Sequence, residues 1–235
     1  MEVPFIYCII TAIAIIVALA LLFRLASIGS SIVAGLLKVG PYLAILMSVV
    51  SVFLFIMEDA RDKLGLGNFF GIIGVTTVAM ILIGHAISIT RRCILEPKEA
   101  PAKKKKESKV RLGSTSLVTL CLLDSVSMIM GGVALGANFT LNAGTGFIVA
   151  VTLFFYIALQ RLISIDRLKE KTTENSANAN LFISLCVLLA SSIISYFVIK
   201  QAYLVAYAAV AVAAGYLIYL ALWQFYFLAK SARKW

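Results

Sequence analysis

Residues 91–111, RRCILEPKEAPAKKKKESKVR, decide how the chain is read, because they form the longest segment that cannot lie in hydrocarbon. On both sides the sequence consists of apolar spans joined by short connectors. Lysine and arginine near span ends stay on the cytoplasmic side, so this run orients every neighbouring helix. It divides the chain into three spans before it and four after it. The reading is one all-α membrane domain in three segments: a three-helix segment at 1–90, a basic cytoplasmic loop at 91–112 and a four-helix segment at 113–235.

The composition agrees with that division. Of 235 residues, 62% are hydrophobic and 14% charged, and the mean hydropathy is +1.01, well outside the range of soluble domains. A spanning helix needs about 20 apolar residues, so a bundle of about seven spans uses up the chain and leaves no room for a soluble domain. The net charge of +10 is a topology signal. With the spans so placed, 18 of the 21 Lys and Arg lie on the side of the central loop, and Arg61, Lys63 and Lys200 lie opposite. No aromatic residue interleaves the lysines, which excludes a nucleic-acid face; the basic loop suits anionic lipid headgroups. Its five lysines within 103–109, with Pro97 and Pro101, make it disordered or surface-bound.

The start, MEVPFIYCII, has no positive n-region and carries Glu2. The first span is therefore expected to be retained with the N-terminus outside, in the plasma membrane. Cys8, Cys93, Cys121 and Cys186 show no CxxC spacing and read as packing residues or free thiols. In the second span, at residues 32–57, Lys38 reads as a snorkelling anchor. Pro41 removes a backbone bond to Leu37, which predicts a kink near residue 40. His85, in the third span, has no second histidine at helical spacing and is a poor metal ligand candidate.

The fourth span, at residues 114–137, carries most of the information. Asp124 lies inside its apolar run, with Ser125 and Ser127 beside it and Gly131, Gly132 and Gly136 beyond. An ionisable group at depth is costly unless paired or wetted, so it is expected to face the bundle interior and a polar path. Asp124, Ser127, Met128, Gly131 and Leu135 share one helical face. Gly132 and Gly136 form a GxxxG, where another backbone can come close. In the fifth span, at 146–165, Tyr156 lies one turn before Gln160. The sixth, at 181–199, places Ser184, Ser191 and Ser195 on a narrow face suited to helix packing. The seventh, at 203–228, ends in aromatics and then in Lys230, Arg233 and Lys234, which put the C-terminus in the cytoplasm. Asn138-Phe139-Thr140 is a sequon on the outer side, but the connector after it is too short to carry a sugar.

An outward N-terminus, three spans, a long cytoplasmic loop and a glycine-bearing fourth span together resemble the ZIP family of divalent-metal transporters. GLGNFFGIIG looks like the start of that family's third span, and AAGYLIYLAL looks like its seventh. The resemblance implies a related bundle with its path between the fourth and fifth spans. The family's ligand pattern there is His/Gln, Asn/Asp, x, Pro, Glu, Gly. The comparable stretches of this chain read Asp124-Ser-Val-Ser-Met-Ile and Gln160-Arg-Leu-Ile-Ser-Ile. Gln160 matches, Asp124 would stand in for an imidazole, and the family's eighth span has no counterpart here. No metal site or cofactor is expected.

No Walker loop, nucleophile elbow, HExxH or intramembrane carboxylate pair occurs, so the chain does not read as an enzyme. Two readings stand. One is a transporter or channel for a small cation, passing Asp124, Ser127, Tyr156 and Gln160 with Pro41 in the wall. The other is a structural or assembly subunit, docking on a second copy of itself or on another membrane protein.

Overall fold

The computed structural model describes residues 3–27, 31–56, 62–95, 114–171, 173–201 and 203–232. The long helices are α1 (Val3–Ser27), α2 (Ser31–Val50), α3 (Leu66–Leu95), α4 (Ser114–Leu141), α5 (Ala143–Lys171), α6 (Glu174–Lys200) and α7 (Tyr203–Ala232). There is no strand among the described residues. Six helices, α1 and α3 to α7, are long and apolar enough to cross a membrane; α2 contributes a shorter apolar stretch, Lys38–Phe53. Hydrocarbon offers no partner for a bare N–H or C=O, so a chain this apolar closes its backbone bonds within helices. These features mark the chain as a multi-pass membrane protein built as a helical bundle.

Local chemistry sets the helix ends. Gly65 takes a φ of +77°, a left-handed conformation that side chains disfavour, and its carbonyl accepts from the Phe69 amide as α3 begins. Between α4 and α5 a single residue, Asn142, makes the turn: its side-chain oxygen accepts from the Gly144 amide at 2.8 Å, and its carbonyl accepts from the Thr145 hydroxyl at 2.8 Å. Thr173 caps α6, its hydroxyl accepting from the Ser176 amide at 3.3 Å.

The core is organised around α4, whose most extensive partner is α6; α5 and α7 flank it. Helix α2 packs against both α5 and α7, α1 lies against α5 and α6, and α3 lies mainly against α7. In α1 one stripe is buried, Cys8, Ala12, Ile15 and Leu19, spaced four, three and four residues apart. The other faces of α1 and most of α3 carry exposed apolar side chains, such as Val75 and Leu82, that suit lipid.

Pro41 is buried inside α2, and the helix runs on through it without a break. Further on, Ser51–Ile56 is π-helical. There the Ser48 hydroxyl donates to the Ala44 carbonyl at 2.8 Å and the Ser51 hydroxyl to the Met47 carbonyl at 2.7 Å. Hydroxyls bonding back to the preceding turn occupy its carbonyls as the backbone pattern changes.

Candidate functional site

Asp124 is 6% exposed and forms an ion pair with Arg91, whose Nη2 donates to Asp124 Oδ1. In the sequence Arg91 opens the basic run, and the fourth span itself holds no Lys or Arg. Helix α3 instead continues to Leu95, so Arg91 rides on its last turns and reaches across to α4. Nor is Asp124 at mid-span. Six residues separate it from Val118, where the apolar span of α4 begins, or about 9 Å at 1.5 Å per residue. That depth lets an arginine at a helix end meet it.

The pair joins two helices that otherwise scarcely touch, because α3 spends its contacts on α7. Two close approaches hold α3 there. Gly84 lies against the Tyr219 hydroxyl, and a Cβ on Gly215 would stand 2.7 Å from the Ile73 carbonyl oxygen. The Thr77 hydroxyl donates to Ile73 at 2.8 Å and to the Gly215 carbonyl at 3.2 Å.

One turn from Asp124, the Ser127 carbonyl accepts a hydrogen bond from the hydroxyl of the fully buried Tyr216 at 3.0 Å. Ser127 thus enters the interior through its backbone. Tyr156, also buried, meets Trp223 edge-on with ring centroids 5.8 Å apart, which links α5 to α7. One turn beyond Tyr156, the Gln160 side-chain oxygen is buried and accepts no hydrogen bond. Beside Trp223, Gln224 is 1% exposed, and neither its amide nitrogen nor its oxygen has a partner. A buried amide without partners costs on the order of 1–3 kcal/mol. Gln224 was not singled out from sequence, although it is the only amide or charged residue between Gln201 and Lys230.

The glycines of α4 lie along α6. A Cβ on Gly132 would stand 2.8 Å from the Leu188 carbonyl oxygen, and one on Gly136 would stand 2.6 Å from that of Ser192. Gly131 faces the side chains of Leu188 and Leu153. Hydroxyls bridge the same seam: Ser191 donates to the Met128 carbonyl and Ser195 to that of Gly132, both at 3.4 Å. Asn138 is buried, its side chain donating to the Ala134 carbonyl at 2.8 Å.

His85 is exposed on α3. Among the described residues no three His, Cys, Asp or Glu side chains come together as a metal site would require. The loop beyond Leu95, where sequence places the contact with anionic headgroups, lies outside the described residues, as do Glu2 and Lys234. In comparisons with family models, curated proteins and solved structures, the chain matches none.

Proposed function

We propose that the chain crosses the plasma membrane seven times, N-terminus outside and C-terminus in the cytoplasm, as a divergent ZIP-like bundle that moves a small cation past Asp124. The supporting observation is the ion pair. Asp124 is a buried carboxylate whose counter-charge, Arg91, is carried by a separate helix fastened mainly to α7. A cation arriving from the cytoplasmic side, or a proton, competes with Arg91 for the same oxygens. Occupancy of the site and the seating of α3 are then one equilibrium, and a ligand shifts it by the difference in its affinity for the two states. Gln160 and Gln224 supply amide groups with unused bonding capacity for a partly hydrated ion or its water.

A second reading, an assembly subunit, is favoured by the exposed apolar face of α3, where Val75, Val78 and Leu82 stand open. In that case Arg91–Asp124 is a tie within the bundle and nothing passes it.

Flux of sodium, zinc and protons into vesicles holding wild type, Asp124→Asn or Arg91→Gln separates the two. Transport predicts flux of at least one cation in wild type, its loss in Asp124→Asn, and half-saturation at lower cation concentration in Arg91→Gln, where the internal competitor is gone. Equal flux in wild type and Asp124→Asn, or none in any vesicle, overturns it.

A further inference from the structure

Among the described residues, four buried side-chain atoms have no hydrogen-bond partner: Gln160 Oε1, Asn180 Nδ2, and both Nε2 and Oε1 of Gln224. They belong to α5, α6 and α7 and lie toward one end of the bundle, the end where Arg91 meets Asp124. We propose that these three helices enclose a water-filled vestibule, open at that end, with the three amides as its polar wall.

The packing sets their levels. Asp124 stands 18 residues before Asn142, the turn between α4 and α5, and Gln160 stands 18 residues after it, so the two lie at about the same height. Gln224 follows Trp223, whose ring meets that of Tyr156 one turn from Gln160. Helix α6 runs parallel to α4, with Ser191 at Met128 and Ser195 at Gly132. In that register Asp124 is level with Val187, and Asn180, seven residues earlier, lies about 10 Å nearer the end. The amides therefore occupy the layer between Asp124 and the end of the bundle. Gln160 closes the apolar span of α5 and is half-buried, which puts it at the mouth. Asn180 and Gln224, 6% and 1% exposed, lie inside.

An amide carries two donors and an accepting oxygen. Burial without partners forfeits their bonds, and a recess offering several such groups is where a protein retains water. A lipid chain would restore none of them. The opposite end is built differently. There the Asn138 side chain donates to the Ala134 carbonyl, the Thr145 hydroxyl to that of Asn142 and the Ser195 hydroxyl to that of Ser191, so these buried groups are satisfied by protein. Phe139 lies across Gly146 and meets Phe147 edge-on, closing the α4–α5 turn with apolar rings. Water thus enters from one end and reaches the level of Asp124. This inference stands on the buried amides and does not require that a cation pass.

Hydroxyl-radical footprinting of the full chain in nanodiscs, with radicals made from water by X-rays and products read by mass spectrometry, tests the vestibule. Because no flux is measured, its outcome is separate from that of the cation reading. Tyr156 and Tyr196 make the comparison: they are 2% and 3% exposed, and Tyr196 lies toward the other end, beside Gly136. Radicals formed from retained water should oxidise Tyr156 in wild type and spare Tyr196. Gln224→Leu takes two bonding atoms from the wall and should lower oxidation of Tyr156 to the level of Tyr196. Unfolding would instead raise both, and Asn180→Leu is then read in its place. Equal oxidation of the two tyrosines in wild type, or unchanged oxidation of Tyr156 in the folded variant, overturns the proposal.

Discussion

Asp124 is the only charged residue between Arg111 and Arg161, and that isolation is what made it visible in the sequence. Its partner was hidden for a physical reason. Arg91 stands beside Arg92 at the edge of a basic run, where positive charge is already accounted for by topology, and only the packing of α3 on α7 brings it to α4. Gln224 was hidden differently, inside the aromatic sequence Trp223-Gln-Phe-Tyr-Phe, which reads as an interfacial belt. Its buried amide yields a prediction. Gln224→Leu replaces unpaired polar atoms with apolar ones of similar size, so thermal melting in detergent should be unchanged or higher, by up to about 1–3 kcal/mol, while cation flux falls. A marked loss of stability would mean that the amide has a partner in the folded protein.

Among the elements, α4 and α6 form the closest pair. The spacing of Gly132 and Gly136 is legible as a surface that admits another backbone; which helix fills it is not, because α5, α6 and α7 all carry small residues. With a Cβ at either glycine already inside contact distance of α6 backbone atoms, Gly132→Leu and Gly136→Leu should each destabilise the bundle by about 1–3 kcal/mol or more. Gly71→Leu is the control, since nothing lies within 4 Å of the Cβ it would add. Equal melting of all three proteins would show that the α4–α6 seam is not closed in solution. Pro41 sits inside α2, which continues through it, and π-helical turns form further on at Ser51–Ile56, which no single residue of the sequence announces.

For the whole molecule, hydropathy placed the helices well, because a period-free apolar run of spanning length has few other structures open to it. It could not order them in space. The charge asymmetry, 18 basic residues against three, carries the topology prediction. In intact cells an impermeant thiol reagent should label Asp62→Cys and should leave Lys104→Cys unlabelled until the membrane is opened, with the native Cys93 replaced by serine in both. Labelling of both from the same side would rule out seven crossings.

The π-helical turns of Ser51–Ile56 have a consequence for how this chain tolerates changes of length. A π-helical turn holds one residue more than the α-helical turn it replaces. Losing a residue there would let the helix close into a regular one and leave the phase of residues 31–50 untouched. Losing a residue between Asp124 and Gly132 would rotate one against the other by about 100°, so the ion pair with α3 and the seam with α6 could no longer form together. Single-residue deletions should therefore survive at Ser51–Ile56 and fail between Asp124 and Gly132.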